Sequence, residues 1–121
     1  MEDFPFPNLH LQKREKKPRN KGINYVRAPV IVGQCINDYL SAYGSLVDIF
    51  KLSGKQAAMM SRSSLVDFIS TCKKHEVLVA VGNPVMDVAL SGGADVVDIY
   101  LDSVSKYEID IIEISSIARS I

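Results

Sequence analysis

Three charged residues, Arg27, Lys51 and Glu113, each close a short apolar run. Arg27 follows Ile23 and Tyr25 at two-residue spacing, Lys51 follows Val47 and Ile49, and Glu113 follows Ile109 and Ile111. Residues two apart in a strand share a face, so each run turns apolar side chains one way and ends that face in a charge. Two cations and a carboxylate at one rim would hold an anion and move a proton. The plainer reading makes Lys51 and Glu113 a structural ion pair across the mouth, with Arg27 a solvated terminus. Ser53-Gly54-Lys55 is not a phosphate loop of the Walker type, because Ile49 stands where that spacing needs glycine. His10 and His75 have no further metal-ligating residue at i+3 or i+4, which argues against zinc.

Strands and helices must alternate to place these charges. Asn24 to Arg27, Val47 to Lys51, Val77 to Val81 and Ile111 to Ile114 read as strands, nearly all apolar as in a sheet covered on both faces. Three amphipathic helices lie between them at i, i+3, i+4, i+7 spacing: Ile36, Tyr39, Leu40, Tyr43; Leu65, Phe68, Ile69, Cys72; and Val97, Tyr100, Leu101, Val104. Ser64 with Asp67 three residues on reads as the start of the second helix, and Lys73 and Lys74 suit its last turn. A further short helix is expected around Val85 to Leu90, before the break at Gly92-Gly93. The alternation implies parallel strands, in a doubly wound sheet or in half of an eight-stranded barrel. Charges at the last inward positions favour the barrel half, whose functional residues sit at the C-terminal strand ends.

The chain of 121 residues, 47% hydrophobic, suffices for one domain. Fourteen basic residues balance fourteen acidic ones, which argues against a protein built to coat nucleic acid or an anionic membrane. No apolar run approaches the ~20 residues of a membrane span, and no signal peptide is visible, so a cytoplasmic location is expected. Residues 1–22 hold three of the five prolines and a net charge of +3, without periodicity. They are expected to be a disordered basic arm, a solvated tail and not a nucleic-acid contact, in front of a domain over residues 23–121. Cys35 and Cys72 read as two buried thiols, and Met59-Met60 as packing.

The segments Lys17-Pro18-Arg19-Asn20-Lys21-Gly22, Tyr25-Val26-Arg27-Ala28-Pro29, Val47-Asp48-Ile49-Phe50-Lys51-Leu52-Ser53-Gly54, His75-Glu76-Val77-Leu78-Val79 and Ile112-Glu113-Ile114-Ser115 follow in order. In that order and spacing the chain resembles the phosphosulfolactate synthase family, including its plant and fungal heat-stress-associated branch. The resemblance implies the N-terminal half of a (β/α)8 TIM barrel of a lyase-type synthase, which adds sulfite to phosphoenolpyruvate with Mg2+. It implies Lys51 as an anion-binding or acid residue and Glu113 as a metal-binding or orienting one. It further implies Arg27, Ser53, Gly54, Gly82 and Ser115 as substrate-binding positions. Ser53-Gly54-Lys55 and Gly82-Asn83-Pro84 depart from the glycine pairs of relatives at those loops.

A complete barrel takes ~250 residues, so the chain reads as a truncated half, expected to be inactive alone. Its inward strand faces are expected to open Val47, Ile49, Val79 and Ile111 to water. The rival reading is a non-catalytic interaction or stress-associated protein that dimerises through open sheet edges, or pairs with another barrel half.

Overall fold

The structure, a computed structural model, describes residues 5–28 and 33–114. Strand β1 (Tyr25–Arg27) leads to helix α1 (Gly33–Tyr43), a 3-10 turn over Gly44–Leu46 and strand β2 (Ile49–Leu52). The short helix α2 (Gln56–Met59) and the longer α3 (Arg62–Lys74) precede strand β3 (Leu78–Val81). Helices α4 (Asn83–Ser91) and α5 (Ala94–Lys106) then return the chain to strand β4 (Ile111–Ile112). The expected segments are all present. No helix among the described residues is long and apolar enough to cross a membrane.

The four strands pair in parallel in the order β1-β2-β3-β4. Register places Ile49 opposite Leu78 and Phe50 opposite Val79, which divides the residues between the two faces. Phe50, Leu52 and Val79 join Ile36 and Leu40 of α1 and Leu65, Phe68, Ile69 and Cys72 of α3 in one core cluster. The opposite face is only partly covered: Tyr25 is 44% and Leu78 47% exposed. A doubly wound sheet carries helices on both faces and reverses its strand order, whereas sequential order with one open face belongs to half of a (β/α)8 barrel. Among the described residues that sheet is not closed.

The set of water-facing side chains differs from expectation. Val47, Ile49 and Val79 are buried and Ile111 is half-buried. Val79 shares the helix-facing parity of Val81, and Val47 precedes β2 and packs into the core cluster. Cys35 is exposed while Cys72 is buried, because position 35 lies one residue off the Ile36–Leu40 stripe. Helix α3 starts earlier than Ser64: Ser61 is its N-cap and accepts from the Ser64 backbone N–H at 3.2 Å. Met59 is 80% exposed, and only Met60 packs against the core.

The basic stretch expected as a disordered arm is anchored at the N-terminal end of the strands. The guanidinium of Arg19 donates to Asp48 Oδ1 at 2.7 Å and to the Ser45 carbonyl at 2.7 Å. Arg14 donates to the Leu46 carbonyl at 2.9 Å and to Asp48 Oδ2 at 3.2 Å. Lys17 donates to the carbonyls of Gly44 (2.7 Å), His75 (3.1 Å) and Glu76 (3.1 Å). The carbonyl ends of α1 and α3 converge there, and unpaired C-terminal carbonyls attract cations. Burial pushes the Lys17 ammonium below its ordinary value, against the pull of Asp48.

Candidate functional site

The rim opposite that anchor is built from the C-terminal ends of the strands. Register pairs Arg27 with Lys51, Lys51 with Ala80 and Ala80 with Ile111. Side chains of paired residues stand on one face, with neighbouring strands about 4.8 Å apart. Arg27 and Lys51 are therefore adjacent cations on the open face. Glu113, two residues beyond Ile111, shares that face. Lys51 Nζ lies 2.7 Å from Glu113 Oε2, with both side chains about a quarter exposed (24% and 27%).

The second oxygen of Glu113 is also taken, by a residue that the strand-end pattern did not single out. The Tyr25 hydroxyl donates to Glu113 Oε1 at 2.5 Å, across 88 residues of sequence. In a flat sheet β1 and β4 would stand about 14 Å apart, three strand spacings. Side chains rising from one face of such a sheet would not meet, so this contact requires the sheet to curl toward the Tyr25 face. The parity of Tyr25 with Arg27 was legible in the sequence; the reach of its hydroxyl depends on the curl and was not.

Electrostatics follow from these contacts. Partial burial acts to raise the pKa of Glu113, but hydrogen bonds from Lys51 and Tyr25 and the Lys51 charge outweigh it and hold the carboxyl below its usual range. Burial, the Glu113 hydrogen bond and its negative charge together push the Tyr25 phenol well above its ordinary value. The pair is thus carboxylate with phenol, and the rim carries Arg27 and Lys51 against one acid.

Ser53 and Gly54 follow β2, and Gly82 follows β3. The Gly82 N–H donates to the Leu52 carbonyl at 3.0 Å, carrying the ladder one step beyond the strands. Gly54 sits at φ +59°, a conformation open to glycine at little cost. A Cβ on Gly82 would lie 3.1 Å from Gly54 N and 3.2 Å from both Gly54 O and Leu52 O, all of them backbone atoms. Gly82→Ala is therefore expected to cost about 2 kcal/mol and to displace the Ser53-Gly54 loop. Thermal unfolding and the Gly54 amide resonance report the two effects; an unshifted Gly54 amide would contradict the contact. The Ser53 hydroxyl oxygen is buried with no hydrogen-bond partner among the described residues, a donor left over at the rim. Ser115 lies outside the described residues.

Among the described residues the donor set at the rim does not fit a resident Mg2+, the cofactor the resemblance implied. Magnesium takes oxygen ligands in near-octahedral geometry, usually one or two carboxylates with waters and substrate phosphates. Each Glu113 oxygen already accepts from Lys51 or Tyr25. No three His, Cys, Asp or Glu residues among those described come together as a metal site.

The family model described as (2R)-phospho-3-sulfolactate synthase (ComA) matches residues 12–121. The matched span takes in β1 to β4, the charged rim and most of the anchoring basic stretch. No curated protein matches the chain. Because the match covers nearly the whole sequence, the chain belongs to the (2R)-phospho-3-sulfolactate synthase family.

Proposed function

We propose that the rim of Arg27, Lys51 and Glu113 is one half of a site that adds sulfite to phosphoenolpyruvate. The observation that carries this reading is the Lys51–Glu113 contact at 2.7 Å with Arg27 in register beside Lys51, in a member of this family. Both reactants are anions, so their approach needs fixed positive charge. Arg27 and Lys51 hold the phosphate and carboxylate groups, and the unpartnered Ser53 hydroxyl donates to an oxygen of the same molecule. The sulfur lone pair forms the C–S bond at C3 while the C2–C3 π electrons move toward the carboxylate. Lys51, the acid at the rim, then delivers a proton to C2, and the phosphate ester stays intact.

The reading predicts binding before turnover. Phosphoenolpyruvate added to 15N-labelled chain is expected to shift the amides of Arg27, Lys51 and Gly82, and Lys51→Ala to weaken binding about tenfold. Equal affinity in the variant would overturn the assignment. We further propose that turnover needs a second half to close the mouth, so product identified by mass is expected from associated species only.

A second, non-catalytic reading is favoured by the open sheet. β1 and β4 each have one paired neighbour among the described residues, and Tyr25 of β1 and Leu78 of β3 remain half-exposed on the open face. A second copy turned about the barrel axis would set its first strand beside β4 and its fourth beside β1, covering both edges at once. A strictly monomeric, fully folded species in sedimentation would count against it.

A further inference from the structure

We propose that Glu113 serves at this rim as the counter-ion that positions Lys51, with its free oxygen tied down by Tyr25, and not as a ligand to a divalent cation. The inference deepens the proposed site, but its test uses no substrate. Three observations carry it.

First, the two oxygens of Glu113 are engaged separately, Oε2 by the Lys51 ammonium at 2.7 Å and Oε1 by the Tyr25 hydroxyl at 2.5 Å. A cation on Oε2 would face an ammonium already in place, and one on Oε1 would displace a short hydrogen bond. Second, the remaining strand residues that share the inward parity are Arg27, Ile49, Leu78, Ala80 and Ile111, so among the described residues no second strand carboxylate stands beside Glu113 on this face. The acids that flank β2 and β4 stand at the opposite, N-terminal ends of the strands and are engaged there: Asp48 binds Arg14 and Arg19, and Asp110 accepts from the Val79 N–H at 2.8 Å. Third, the tie joins the first strand of the sheet to the fourth. A carboxylate held from both sides has one orientation, and a flexible lysine pressed against it is held in turn. Tyr25 is therefore a positioning residue, acting on Lys51 through Glu113.

Two measurements on the intact chain test this. The 15N-labelled ammonium of Lys51 is expected to exchange its protons about tenfold faster in Glu113→Gln, and by a smaller factor in Tyr25→Phe, as its charged acceptor is removed or loosened. Exchange unchanged in Glu113→Gln would overturn the proposal. Mn2+, used as a paramagnetic probe for Mg2+, is expected to leave the amides of Ile112 and Glu113 unbroadened in the unsubstituted chain. Broadening there that Glu113→Gln abolishes would equally overturn it. The second measurement needs no variant to fold for its first arm, and failure of phosphoenolpyruvate to bind would leave both results standing.

Discussion

Asp48→Ala is expected to lower the stability of the fold by about 3 kcal/mol, read as a fall in the urea midpoint at unchanged slope. Asp48 is 8% exposed and accepts from Arg19 at 2.7 Å, from Arg14 at 3.2 Å and from the Asn24 N–H at 2.8 Å. Its removal strands the Arg19 guanidinium, whose side chain is 7% exposed, and leaves a backbone donor without its acceptor. Truncating one member of a buried pair costs more than the pair contributes, because the other charge stays buried. A loss below about 0.5 kcal/mol would mean that the basic stretch is an ornament on a fold that stands without it.

The same carboxylate makes a pH prediction. Burial acts to raise its pKa, but hydrogen bonds from Asn24 and Arg19, the Arg19 charge and the Arg14 contact outweigh it and hold it below the ordinary value. A group depressed in the folded state stabilises fully above its unfolded pKa, and that contribution is lost as pH falls through the folded one. Urea midpoints of the unsubstituted chain should therefore fall on acidification below the ordinary carboxylate range. The Asp48→Ala curve should be flatter there; parallel curves would assign the acid sensitivity elsewhere.

Phe50→Ala is expected to cost about 4 kcal/mol. Its ring is fully buried, with ring centroids 5.7 Å from Tyr39 of α1 and 6.4 Å from Phe68 of α3. It is the aromatic link between the strand that carries Lys51 and two helices behind it, and neither helix can collapse into the void without leaving the other. Phe50→Leu, which keeps most of the volume, should cost no more than about 1.5 kcal/mol. Equal losses in the two variants would point to the aromatic contacts instead of the cavity. Both are measured by chemical denaturation, with the Lys51 amide resonance reporting whether β2 has shifted.

The strand ends were legible because a period of two is a local property: Lys51 and Glu113 could be set on one face from Ile49 and Ile111 alone, and they meet in the structure. Helices α1, α3 and α5 were legible for the same reason at a longer period. Contacts that depend on how the sheet bends or on backbone carbonyls were not. Tyr25 reads as one more inward aromatic until the curl brings its hydroxyl to Glu113. Arg14, Lys17 and Arg19 show no periodicity, since most of their partners are carbonyls and an acid 26 to 59 residues further along the chain. Composition made them a tail; converging helix ends make them a fastening. Ser64 resembles a helix start because it has an acid three residues on, whereas the cap is Ser61, whose hydroxyl accepts from the Ser64 N–H and donates to the Ser64 hydroxyl with no acid involved.

Strand β2 is four residues long, with Asp48 just before it and Lys51 within it. One pole of so short a rod is bolted to the basic stretch, and the other carries the Lys51–Glu113 pair at the open rim. Substitutions can then accumulate at the open rim without loosening the bolt, so a descendant could change the charges there while keeping the same chassis.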